Sequence, residues 1–333
     1  MISTATLFPD IREQNNDYAW RVSRYLNESP GAIHRRLMEE CDPEHLLSDE
    51  RLYFTLLSSF LGYNPDENEA DAEAERCYLE RSLMKADASI FQENPYWKEI
   101  VIPYGKEKGN WQFQKLSYQP YELFVMDDIL YDEETSREIP QIAYFDTMFE
   151  YPMVEEKGRE WMAIKPSEIC SMEKPLQKMH GNIVVFGLGL GYFPYMASRM
   201  EQVGQITIVE KNKDVMDLFH QVILPQFGHG KKITLVCDDA FHFMQTTMTK
   251  ERYDCAFVDL WHDALDGLPL YLRAKRMEHS VPNTEFYYWM ENTLLSAYRW
   301  RMFDSILKES GNEKEMLFLL SKESLLNRMR REY

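Results

Sequence analysis

Residues 181–191, Gly-Asn-Ile-Val-Val-Phe-Gly-Leu-Gly-Leu-Gly, run an apolar segment straight into three alternating glycines. Gly187, Gly189 and Gly191 let the backbone turn tightly and approach a ligand with no Cβ in the way. A helix continuing from there would point its first amides at whatever sits over the glycines. Beyond this loop, residues able to grip a ligand or move a proton recur at the ends of apolar runs. Glu210 closes Ile-Thr-Ile-Val-Glu, about twenty residues on, where a two-oxygen acceptor can hold a ribose diol. Asp238, Asp239 and Ala240 form a short acidic turn able to take the amino group of an adenine. One of the two acids is also expected to cap the helix that starts at Ala240. Asp259 ends Cys-Ala-Phe-Val-Asp, where an unpaired acid is costly and so implies a role. His262, just beyond it, has an ordinary pKa near working pH and is a candidate general base, or else a histidine satisfied within its loop. Together these residues describe the site of a nucleotide-like ligand.

Such residues are useful only if strands and helices bring them to one edge. The pattern predicts strands over 182–186, 205–209, 232–236, 253–258 and 285–289. Helices are expected between them at 191–201, 212–224, 239–249 and 267–278. Regular β-α alternation implies an α/β fold with a doubly wound, mostly parallel sheet and a ligand beyond the carboxyl ends of its strands. Just before the sheet, a helix is expected over 166–179 with Ser167 as its N-cap. The preceding stretch 161–168 reads as packing, or as a lid edge. The aromatic run Phe286-Tyr-Tyr-Trp289 reads as core. Residues 1–95 are expected to form a helical N-terminal region and 96–165 a small β-rich region. Residues 166–333 would then be a Rossmann-like cofactor-binding domain whose helical tail carries a short apolar run, 316–320, as a candidate last strand.

With 333 residues, 44% of them hydrophobic, the chain can build two domains or one large α/β core with additions. The 55 acidic residues outnumber the 37 basic ones, for a formal charge of -18. Such a surface repels phosphate backbones, which disfavours nucleic acid and tolerates a cationic ligand. The five cysteines are scattered, without a CxxC pair or a histidine cluster at metal-ligand spacing. That pattern argues for a reducing compartment and no metal site. Cys237 and Cys255 fall in strand-like runs and are expected to behave as small hydrophobes. Neither a signal peptide nor a membrane span is evident, so a cytoplasmic location is expected.

From Val185-Phe-Gly-Leu-Gly-Leu-Gly191 through Val209-Glu210 and Asp238-Asp239-Ala240 to Tyr253-Asp-Cys-Ala-Phe-Val-Asp259, the chain resembles the class I S-adenosylmethionine-dependent methyltransferases. The resemblance covers roughly residues 165–290. It implies S-adenosylmethionine as cofactor, with the glycines beside its methionine part and Glu210 on its ribose. It further implies Asp239 and Ala240 beside the adenine, and Asp259 facing the methionine amino group or an unidentified methyl acceptor, a small molecule or a protein. Many members of that family carry an acid just before the glycines or at their first position. Here the residue is Phe186, which leaves Glu168 or Asp259 to hold the ammonium. A more distant likeness to spermidine synthase-type aminopropyltransferases rests on the preceding β-rich region and the acids Asp259 and Asp263. It lacks that family's proline after the second acid and implies decarboxylated S-adenosylmethionine instead. A dinucleotide oxidoreductase is disfavoured because the third glycine of GxGxxG would fall at bulky Tyr192. A third expectation is a non-catalytic scaffold.

Overall fold

The structure is a computed structural model that describes residues 4–332. The chain separates into two compact units built from interleaved segments. One comprises Met1–Ala88, Ser117–Glu150 and Tyr298–Leu325; the other comprises Ser89–Leu116, Tyr151–Ala297 and Leu326–Tyr333. The consecutive blocks 1–95, 96–165 and 166–333 read from the sequence therefore run across these units. Composition changes along a chain, whereas compactness depends on which distant segments pack together.

The first unit joins helices to a small sheet. Thr4–Glu28 forms a long helix that buries Tyr18, Val22 and Tyr25, the i, i+4, i+7 stripe of one helix face. Asp49–Phe60 starts on Ser48, whose hydroxyl accepts the Arg51 amide at 3.2 Å. These helices share a core with Ile139, Ile142 and Tyr144. The Tyr53 and Tyr144 rings stack there with centroids 3.6 Å apart. Within the stretch expected to be helical, Leu83–Lys85 instead forms a strand. It pairs in parallel with Ile142–Tyr144, next to the antiparallel pairing of Phe124–Asp132 with Arg137–Tyr144. The expected last strand at 316–320 is also corrected. Those residues end the helix Glu313–Leu320, where the Asn312 side chain accepts the Glu315 amide at 3.0 Å and Met316 and Leu320 are buried at i, i+4 spacing. An apolar run this short fits either element until its neighbours are known.

The second unit contains a five-stranded, all-parallel sheet: β1 (Gly181–Phe186), β2 (Val203–Glu210), β3 (Ile233–Cys237), β4 (Cys255–Val258) and β5 (Glu285–Tyr288). Their order is β3-β2-β1-β4-β5. Helices Tyr192–Ser198, Lys213–Val222, Ala240–Thr246 and Ala264–Met277 lie between successive strands in the chain. The chain enters at the middle strand, runs outward through β2 and β3, then returns to the other side of β1. The order reverses between β1 and β4, the position where open α/β sheets bind their ligands. The central strands β1 and β4 are almost wholly buried, as their unbroken apolar runs require.

A four-stranded sheet from the expected β-rich region has the order Glu107–Lys108, Trp111–Tyr118, Phe149–Glu156, Arg159–Ala163. The helix before β1 spans Pro166–Lys178. Its N-cap is Lys165 rather than Ser167, because proline at the first helical position is already preset for the turn and carries no amide that needs a partner. Cys255 is buried as expected, but Cys237, at the end of an outer strand, is exposed. Among the described residues no helix is long and apolar enough to cross a membrane.

Candidate functional site

Phe186, the last residue of β1, lies opposite Val258 in the register, so the glycine loop and Asp259 leave the sheet side by side. The Asp259 amide donates to the Phe186 carbonyl at 2.9 Å. Gly187, Gly189 and Gly191 all have positive φ, at 95°, 50° and 75°. Each is also closed in by the protein itself. A Cβ would stand 2.0 Å from the Asp259 carbonyl oxygen at Gly187, 1.7 Å from Met162 Sδ at Gly189 and 2.3 Å from the Phe219 ring at Gly191. The glycine spacing thus has a packing cause before any ligand is considered. Several loop amides already have partners. Gly187 donates to the Val209 carbonyl at 3.0 Å, Leu188 to Glu210 Oε2 at 3.3 Å, Leu190 to Met162 Sδ at 3.1 Å and Gly191 to the Leu188 carbonyl at 2.9 Å.

Glu210 ends β2 as read. Its second oxygen accepts the Asn212 amide at 2.7 Å, so one carboxyl ties the glycine loop to the turn after β2. Burial raises its pKa, against the two amides that favour the charged form. Asp238 and Asp239 follow β3, and the Asp238 amide donates to the Glu210 carbonyl at 3.2 Å. Asp239 is the acid that caps the next helix, accepting from Phe241 and His242 at 3.0 Å each. Asp238 is turned to the His242 ring at 2.8 Å. Ala240 is buried as the first residue of that helix.

Asp259 is partly buried, and no hydrogen-bond donor among the described residues reaches its carboxyl. Burial, and then the charge of Glu210, push its pKa up to about 7. Glu168, in the first turn of Pro166–Lys178, is buried and likewise lacks a donor to its carboxyl. Burial first and Asp259 second push it up to about 8, with Lys165 pulling the other way. Lys165 is itself engaged by Glu160 at 2.6 Å. Asp259 therefore stands within electrostatic reach of an acid on either side, and among the described residues no cation forms an ion pair with any of the three. Phe186 is core, edge-on to Phe243 at 6.0 Å.

His262 is not turned to these acids by any contact. Its Nδ1 faces Asp266 Oδ2 at 3.2 Å and its ring meets Trp161 edge-on at 4.2 Å. Asp263 caps Ala264–Met277 in a reciprocal capping box with Asp266. In the stretch 161–168, Met162 supplies a contact that reading by type missed, since a methionine in a strand signals core and not its thioether on a loop amide. Tyr96, in the chain break Asn94-Pro95-Tyr96, carries no such signal either. Its hydroxyl donates to the Leu190 carbonyl at 2.5 Å, while Asn94 donates to the Tyr192 hydroxyl at 2.9 Å, so this break braces the loop and the helix after it.

No family model matches this chain, and no curated protein matches it. Among solved structures it is similar to one provisionally named an O-methyltransferase, from Klebsiella pneumoniae. The two are 23% identical with a TM-score of 0.24, over 31% of this chain and 46% of that one. This chain thus matches less than half the length of that neighbour.

Proposed function

We propose that the parallel-sheet unit is doubly wound by right-handed crossovers, binds S-adenosylmethionine at the carboxyl edge of β1, β2 and β4, and serves methyl transfer to a small-molecule or protein acceptor. The observation that carries this reading is the trio Glu168, Asp259 and Glu210, three raised carboxyls with which no cation among the described residues forms an ion pair. A pyrophosphate would be repelled there, whereas a ligand carrying an ammonium and a sulfonium supplies the missing charge. Glu210 retains acceptor capacity for ribose hydroxyls, because each carboxylate oxygen has used one lone pair. Glu168 and Asp259 fit the ammonium that the acid absent at Phe186 would otherwise hold. The bound cofactor would supply a methyl group activated by positive sulfur. Where Glu168 takes the ammonium, Asp259 is left to face the acceptor, and its pKa of about 7 in the ligand-free chain suits it to take a proton there. His262 is the lesser candidate, since Nδ1 is held by Asp266 and only Nε2 remains.

The same unpaired acids favour one second reading, an amine acceptor and aminopropyl transfer from decarboxylated S-adenosylmethionine. Calorimetry on the full chain with both forms and with NAD separates the cases. The expected result is binding of S-adenosylmethionine, none of NAD, and at least about a ten-fold loss of affinity in Glu210→Ala, the cost of removing a charged hydrogen-bonding partner. Preference for the decarboxylated form moves the reading to aminopropyl transfer. Unchanged affinity in Glu210→Ala removes the ribose role, and no binding of either form leaves a scaffold.

A further inference from the structure

Lys165 and Glu168 begin the helix Pro166–Lys178 as its N-cap and a first-turn acid, and the Glu168 amide donates to the Lys165 carbonyl at 3.0 Å. Lys165 is therefore a cation whose charge reaches the buried Glu168 carboxyl. Its ammonium is nevertheless bound to Glu160 Oε1 at 2.6 Å, and among the described residues it forms no ion pair with Glu168. Glu160 lies on the strand Arg159–Ala163 with its side chain 36% exposed. A pair with so exposed an acid contributes little to stability, whereas a buried acid left without a cation is costly. A purely structural arrangement would place the lysine on Glu168. The charged groups in reach of Glu168 are Asp259 and Glu160, which repel it, and Lys165. Those in reach of Lys165 are Glu160, Glu168 and the Tyr151 phenol, and Asp259 also feels Glu210.

We infer that Glu160 is a positioning residue that holds Lys165 off Glu168 and so reserves the Glu168 carboxyl for the ligand's ammonium. This rests on the reading of the sheet edge as a site for S-adenosylmethionine. A lysine paired with Glu168 would leave that acid already neutralised, and its own charge would repel an incoming ammonium. The flexible four-carbon stem lets Lys165 turn from one acid to the other once Glu160 is removed. The arrangement thus selects for positive charge on the ligand. A neutral nucleoside gains nothing from it.

Glu160→Ala in the full chain, at a part-exposed position that spares the core, tests this. In urea unfolding without ligand, the fall in stability between pH 5 and pH 8 should shrink by at least about half, because Glu168 paired with Lys165 no longer ionises late. In calorimetry, S-adenosylmethionine should bind about ten-fold more weakly, as for one charged partner lost. Methylthioadenosine, which lacks both the ammonium and the sulfonium, should bind as it does to the wild type. Adding Lys165→Met removes the competing cation, and should restore the pH dependence and bring the affinity for S-adenosylmethionine back to within about three-fold of wild type. The inference is overturned by an unchanged pH dependence in Glu160→Ala, by equal loss of both nucleosides, or by a double variant no better than the single one. In the last case Glu160 acts through its own charge and not through Lys165. Wild-type binding of S-adenosylmethionine with an indifferent Glu160→Ala removes Glu160 alone and leaves the reading of the site standing. A wild type that binds neither nucleoside removes that reading and the reserved ammonium with it, while the pH series still decides whether Glu160 holds Lys165.

Discussion

Glu138 in the first unit and Glu168 in the second are buried to a similar degree, at 5% and 7% exposure, yet they are treated in opposite ways. Glu138 receives the Arg299 guanidinium and the Trp300 indole N–H. Arg299, itself 1% exposed, also donates to the Leu320 carbonyl at 2.8 Å and lies over the Tyr131 ring at 3.6 Å. Every charge there has a partner, so the cluster acts as a structural joint between strand and helix. Among the described residues Glu168 has no donor to its carboxyl, an acidic neighbour in Asp259, and a nearby lysine engaged elsewhere. A third cluster shows that the second unit can also pair its acids. Lys275 reaches Glu278 at 2.9 Å and Glu291 at 3.5 Å, with the Tyr288 and Tyr271 hydroxyls donating to the same two acids. Unpaired acids at the carboxyl edge of β4 are thus a local property, the kind of perturbed group that gathers at functional sites.

The contrast is broken or sharpened by three measurements. The largest effect is expected for Arg299→Met, which strands Glu138 and should cost about 3–5 kcal/mol in urea unfolding. A loss below about 1 kcal/mol, within the range of ordinary surface changes, would remove Glu138 from the class of paired acids.

The second concerns pH. Glu168 and Asp259 ionise near 4 in the unfolded chain and at about 8 and 7 in the fold. Between those values the folded state holds more protons than the unfolded one, so stability falls as pH rises from about 4 to about 8. With Asp259 discounted for its partial exposure, the decline for these two acids should be on the order of 4 kcal/mol between pH 5 and 8, and a ligand-free chain whose stability rises over that window contradicts it.

The smallest effect belongs to Glu168→Gln. It removes a buried like charge and should raise ligand-free stability by about 3 kcal/mol at pH 8, with little change at pH 5 where the folded wild-type group is already neutral. Destabilisation at pH 8 would mean that Glu168 has a partner in solution and belongs with Glu138.

Much of the local structure was legible in the sequence. The strand at 182–186 could be read because a strand covered on both faces must be continuously apolar, and the turn after it because only glycine readily adopts the positive φ found at Gly187, Gly189 and Gly191. That one of Asp238 and Asp239 caps the next helix could be expected because capping reaches only two or three residues ahead. The reading failed where a short pattern was ambiguous, at Met316–Leu320, and where a second residue took the local role, at Lys165 before Pro166. For the glycines it offered only a ligand as the cause, and the fold adds a second, since Asp259, Met162 and Phe219 crowd them.

By itself the sequence determined the strands of the parallel sheet, where the backbone turns left-handed after the first of them and which acids end them, because these depend on neighbours a few residues away. Only the tertiary structure decided that β1 lies between β2 and β4, that Met162 covers Gly189, and that Glu168 comes within electrostatic reach of Asp259. Those relations join residues far apart in the chain through packing and desolvation, and neither leaves a local pattern to read.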